Sequence, residues 1–208
     1  MLYNLFNSRF GRCMTRLGDL LLLQVVFLLT SLPVFTAGAG IAALYTVSKQ
    51  LCTDAPSLVI PAYFAAFRTN FKKATLLWLG VLASAALLFF DLRFFRTSDA
   101  PWIGYARIAF YGICVVWYLL LLYAFPLEAW YTNTIGRHLA NSIRLSLSHL
   151  GTTLLLTAIN ALFVALIEYA KALALLIGAS GCIYLKSILI GRLLFPDQFR
   201  KQEEAEEE

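Results

Sequence analysis

From Leu20 to Ser48 the chain carries no charged side chain, and Pro33 stands near the middle of that run. As one straight helix the run would be about 43 Å long at ~1.5 Å per residue. That overshoots the ~30 Å hydrocarbon core of a bilayer. Proline cannot donate a backbone hydrogen bond, and it disfavours helical backbone at the residue before it. The segment Thr36-Ala37-Gly38-Ala39-Gly40 follows, placing two permissive glycines where the chain would turn. The run therefore reads as two short helices, roughly Gly18 to Leu32 and Phe35 to Leu51, folded as a hairpin about Pro33.

The rest of the chain calls for the same solvent. Of 208 residues, 60% are hydrophobic and 14% charged, with a mean hydropathy of +0.73. Soluble domains sit nearer ~25% charged. Ala74 to Phe90, Ile108 to Leu127, Leu150 to Ile167 and Ala172 to Phe195 are further apolar stretches, the last interrupted by Lys186 and Arg192. Pro126 and Glu128 are expected to close the second of these. The fold expected is all-α: a polytopic transmembrane bundle of five to six membrane segments, with cytosolic amphipathic helices. Residues 1–17, with Leu2, Leu5, Phe6 and Phe10 among three arginines, suit an amphipathic arm on the inner membrane face. Residues 18–195 form the membrane domain. Residues 196–208 end in an acidic block expected to be solvated and disordered.

Two other segments have helical period without being spans. Between Asp54 and Lys73, Phe64, Phe67 and Phe71 give an aromatic face, with Trp78 just beyond as an interface anchor. That face either lies on headgroups, docks on a partner, or packs on the protein's own bundle. Ile135 to His149 carries Ile135, Leu139, Ile143 and Leu147 on one side.

The positive-inside rule chooses between five and six segments. If the first run is a single span, Lys and Arg divide 7 inside and 9 outside; if it folds back, they divide 12 inside and 4 outside, with Lys186 left within a span in both cases. Six segments with both termini cytoplasmic are expected, the first two being short enough that a re-entrant hairpin also satisfies the count. The stretch after Arg9, Arg12 and Arg16 outruns a signal-peptide core, so the first segment is expected to be retained.

No catalytic constellation appears. Cys13, Cys52, Cys114 and Cys182 form no CxxC pair, and His138 and His149 are not spaced as an HExxH site. Phosphate-loop, dinucleotide and nucleophile-elbow motifs are missing. The expectation is no enzyme, no metal and no cofactor. The net charge of +5 sits between apolar runs, which points to a membrane surface and away from nucleic acid. The candidate residues are therefore structural or ligand-facing. Arg16 and Asp19 share a helix face at the membrane edge, where a local ion pair is expected. Pro33, Gly38 and Gly40 make either a tight turn or a broken-helix site. Phe67 and Phe71 are candidate partner contacts. Asn160 and Lys186 are polar groups inside spans, suited to helix–helix hydrogen bonding, a solute pathway, a carboxylate pair or, for the lysine, snorkelling. For a sugar pathway, Trp117, Tyr118 and Tyr184 would join Asn160.

Phe10-Gly11, Thr15-Arg16-Leu17-Gly18-Asp19, Ser31-Leu32-Pro33, and Gly38-Ala39-Gly40 through Ala43-Leu44-Tyr45 resemble the YesL-like membrane proteins, the DUF624 family. Phe67-Arg68-x-Asn70-Phe71-Lys72 leading into Leu76-Leu77-Trp78-Leu79, and Tyr123-Ala124-Phe125-Pro126-Leu127, are similar too. The resemblance implies a bacterial cell-membrane protein whose genes often neighbour those of carbohydrate uptake and degradation. Partners implied are the lipid bilayer and the permease or ATPase subunits of a sugar ABC importer. It brings no catalytic or ligand residues, and the acidic tail looks like an addition to it.

Overall fold

The computed structural model describes residues 9–53, 58–97, 103–130, 135–194 and 196. The first eight residues of the arm and the tail beyond Pro196 lie outside them. Seven α-helical segments run through the described residues in order: α1 (Arg9–Thr30), α2 (Ala37–Cys52), α3 (Val59–Thr97), α4 (Ile103–Trp130), α5 (Ile135–Ser148), α6 (Leu150–Tyr169) and α7 (Lys171–Leu194). No strand occurs among the described residues.

The long apolar run does break at Pro33, whose backbone is extended (φ −76°, ψ 116°). A single 3₁₀ turn, Val34–Thr36, then leads into α2. Thr36 closes the break. Its Oγ1 donates to the carbonyls of Thr30 (2.6 Å) and Pro33 (2.7 Å), and its N–H to Pro33 O (2.9 Å). These bonds occupy carbonyls that the end of α1 would otherwise leave bare, which matters most where water is scarce.

Four helices among the described residues are long and apolar enough to cross a membrane: α3 over Val59–Phe94, α4 over Gly104–Trp130, α6 and α7. At 16 residues, α2 is shorter than a span. The basic stretch from Arg9 forms the opening turns of α1, so there the arm is continuous with the first apolar helix.

Two expectations are corrected. The aromatic segment 54–73 is not a separate surface helix. From Val59 it is the first half of the 39-residue α3. Pro61 falls in the first turn, where proline is tolerated, and nothing downstream breaks the helix. Nor does Pro126 close a span. Helix α4 runs through it to Trp130, because Leu122 to Leu127 are all buried and neighbouring helices hold the segment. The expected helix over Ile135 to His149 is present as α5.

Close packing sets the helix order. A Cβ on Gly38 would stand 2.2 Å from Trp78 Cβ and 2.7 Å from the Ala74 carbonyl, so α2 presses on the first half of α3. Trp78 is therefore a packing anchor for the hairpin, its Nε1 donating to Val34 O (2.8 Å). Gly40 meets Phe27 and Ser31 across the hairpin. Tyr63 stacks on Phe67, which meets Phe71 at a tilt; Tyr63 is fully buried and Phe67 packs on the core, so this part of the aromatic face serves the protein's own bundle, while Phe64 is exposed. Helix α4 returns along α3: Trp117 Nε1 donates to Ser84 Oγ (2.9 Å), and Phe125 meets Trp78 edge-on. Helices α6 and α7 are joined at the single residue Ala170.

Replacing Gly38 by alanine is expected to destabilise the fold by about 1–3 kcal/mol through overpacking. Gly80→Ala, where no atom lies within 4 Å, is expected to be neutral or mildly stabilising. Thermal unfolding of both variants in mild detergent checks the contrast.

Candidate functional site

Helices α2, α3, α4, α6 and α7, with Phe27 of α1, line a half-open cavity of about 390 Å³ between them. One side is aromatic: the Trp78 and Phe125 rings sit 6.2 Å apart at 62°. Tyr45, buried on α2, contributes to the wall. The lining also holds a polar chain. Lys186 Nζ on α7 donates to Asn160 Oδ1 on α6, and Asn160 Nδ2 donates to Tyr118 OH on α4 (3.3 Å). Asn160 thus bridges helices and also faces the cavity. Lys186 has an amide partner, which is neither the carboxylate pair nor the snorkelling geometry considered from sequence.

Other polar groups hold the walls in place. Gln24, buried on α1, accepts the Ser180 backbone N–H (2.9 Å). Ser180 lies two residues past a π-helical turn, Ala174–Gly178, where the regular bonding of α7 is interrupted. Gln24 supplies an acceptor from outside the helix. Tyr123 OH lies 3.0 Å from Thr153 Oγ1, which donates to Ser146 O (2.9 Å), linking α4, α6 and α5.

Arg16 and Asp19 lie elsewhere. Arg16 Nη1 donates to Tyr184 OH (2.7 Å), tying α1 to α7. With Gln24 on Ser180, this contact sets α1 antiparallel to α7, so the start of α1 and the end of α7 share one end of the bundle. Of the residues expected in a sugar pathway, Tyr118 and Asn160 meet at the cavity, whereas Trp117 bonds Ser84 and Tyr184 bonds Arg16. Pro33, Gly38 and Gly40 shape the hairpin behind the cavity; Phe67 and Phe71 pack outside it.

Sequence reasoning missed Tyr45, Trp78 and Phe125 as cavity walls. It also missed the Lys73–Glu128 ion pair (2.7 Å), whose carboxylate side chain is only 6% exposed. Beside it, Lys49 Nζ reaches Ala129 O (3.4 Å) and sits 4.7 Å from the centre of the Trp130 ring. Together these contacts pin α2 and α3 to the end of α4. No local signal could have paired residues so distant in the chain. No group of three or more His, Cys, Asp or Glu that could hold a metal exists among the described residues.

The family described as "Protein of unknown function, DUF624" matches residues 20–92. "Uncharacterized protein YesL" of Bacillus subtilis (strain 168) is 29% identical over 163 residues, covering 76% of each chain. Over these residues the chain is similar to the YesL-like DUF624 proteins. The DUF624 match spans the Pro33 break, Thr36, both packing glycines and Trp78. The polar chain from Tyr118 to Lys186 lies outside it. No solved structure matches this chain.

Gln24→Leu leaves the buried Ser180 N–H without its acceptor and is expected to cost about 1–3 kcal/mol of stability. Thermal denaturation in detergent measures this. Gln24→Glu, which retains an acceptor oxygen, should lose less if it is protonated in place.

Proposed function

We infer that this chain is a non-enzymatic membrane subunit that serves carbohydrate uptake by docking on a sugar ABC importer in the bacterial cell membrane. The observation behind this reading is the far half of α3 with the facing half of α4. Both extend past Trp78, where the hairpin turn bonds to α3. Their apolar side chains point outward: Leu87 is 65% exposed, Phe90 69% and Ile108 71%. Helices in lipid associate through packing and not through exclusion of water. A thinly covered, aromatic-rich pair of long helices is suited to packing against the transmembrane subunits of another protein.

The hairpin fits the same picture as a re-entrant element. Leu32, Val34 and Phe35 at its tip are exposed apolar groups, as expected of a tip that enters lipid. Counted with the four spans it gives six membrane segments, and the division of twelve basic residues against four puts both ends in the cytoplasm. Helix α5 then lies on the cytoplasmic side, with Arg137 and Arg144 on its exposed face.

A photo-crosslinker at Tyr111, on the outward face of α4, is expected to capture an importer permease when cells grow on an inducing sugar. The same probe at buried Ser142 should capture none. Purification in mild detergent that recovers no importer subunit, with no crosslink at Tyr111, would rule out the docking role.

The cavity favours a second reading, in which the chain carries a small solute itself. Proteoliposomes containing only this protein decide it: sugar flux above empty vesicles supports carriage, and no flux with any tested sugar removes it.

A further inference from the structure

The polar end of the cavity has an unusual balance of charge and hydrogen atoms. Lys186 lies within the apolar helix α7, six residues before Arg192, and inside a membrane segment an ammonium group calls for a compensating anion. Its hydrogen-bond partner is a neutral amide oxygen. The described carboxylates are engaged or placed elsewhere. Glu128 pairs with Lys73, Asp19 is coupled to Arg16, and Asp91 and Glu168 are exposed on α3 and α6. None of the four forms an ion pair with Lys186.

The count of hydrogens points the same way. A lysine ammonium has three donors, and one is used on Asn160. Tyr118 OH accepts from Asn160, so its own hydrogen remains to be given. The polar end therefore presents donors: two from Lys186 and one from Tyr118. A neutral polyol needs acceptors as well as donors. A carboxylate needs donors alone. The rest of the wall is largely apolar, including Trp78, Phe125, Phe163 and Ile41, with Tyr45 and Cys182 also lining it. The volume lies at the small end of the ~300–1,000 Å³ of ligand pockets.

We propose that this cavity binds a small amphiphilic carboxylate, with its apolar ring or chain against Trp78 and Phe125 and its carboxylate on Lys186 and Tyr118. The inference rests on the cavity alone, and it holds whether or not the ligand crosses the membrane.

The test uses the full chain in phosphatidylcholine nanodiscs, with benzoate and its neutral analogue benzyl alcohol as probes. Calorimetric titration is corrected against empty nanodiscs. Benzoate is expected to bind about tenfold or more tightly than benzyl alcohol, since hydrogen bonds to charged groups are roughly twice as strong as neutral ones. Lys186→Met should erase that preference, and Lys186→Arg should keep part of it. Circular dichroism melts confirm folding. If Lys186→Met does not fold, Tyr118→Phe takes its place and should reduce the preference severalfold. Equal binding of the two probes by the wild type, or an unchanged preference in the folded variant, overturns the proposal. Loss of benzoate binding when the discs are made with phosphatidylglycerol would assign the site to an anionic lipid headgroup and overturn it equally. Retained binding there supports a free carboxylate. Failure of this site leaves the docking of α3 and α4 untouched, because that is read from crosslinks.

Discussion

The contact of Gly38 with Trp78 decides how the rest of the bundle can assemble. With no Cβ on Gly38, the backbone of α2 comes against Ala74 and the base of the indole. The same indole then reaches the Val34 carbonyl beside the Pro33 break. One tryptophan thus sets the spacing of α2 and α3 and satisfies a backbone group at the point where helix bonding lapses. Its other side meets Phe125 and walls the cavity. A side chain at Gly38 would push α2 away, and the hairpin, the α4 contact and the cavity wall would all shift with it.

A second constraint acts through polar groups in an apolar surrounding. Each buried donor or acceptor has to find a partner inside the protein. Thr36 does this at the hairpin break, Gln24 after the π turn of α7, and Thr153 where α4, α5 and α6 meet. The Gln24 bond joins α1 to the distant α7, so satisfying the backbone there also fixes tertiary order. The Tyr118–Asn160–Lys186 chain follows the same rule but ends on a cation, which is why the core reads as a ligand site as well as a packing solution.

Much of the fold was legible from local chemistry. The Pro33 break followed from the length of the apolar run and from what proline does to backbone bonding. The helix over Ile135 to Ser148 followed from apolar spacing. Local rules misled at Pro126 and at residues 59–73. Packing on both sides of Leu122 to Leu127 carried α4 through its proline. In the second case, amphipathic periodicity gives no sign of where a helix ends when no breaker follows. The aromatic face of Phe67 and Phe71 was visible in the sequence, but the surface it covers was not.

What the sequence determined by itself is the solvent, the all-helical class and the hairpin. These depend on the hydropathy, length and backbone limits of neighbouring residues. The candidate site shows the other half. Asn160 and Lys186 could be singled out because polar groups inside apolar spans are costly. Only the tertiary structure could decide that they bond to each other, that Tyr118 extends the chain, and that Tyr45, Trp78 and Phe125 face them. Those side chains come from different helices, and their meeting depends on crossing distances set by glycines and indoles that no local pattern encodes.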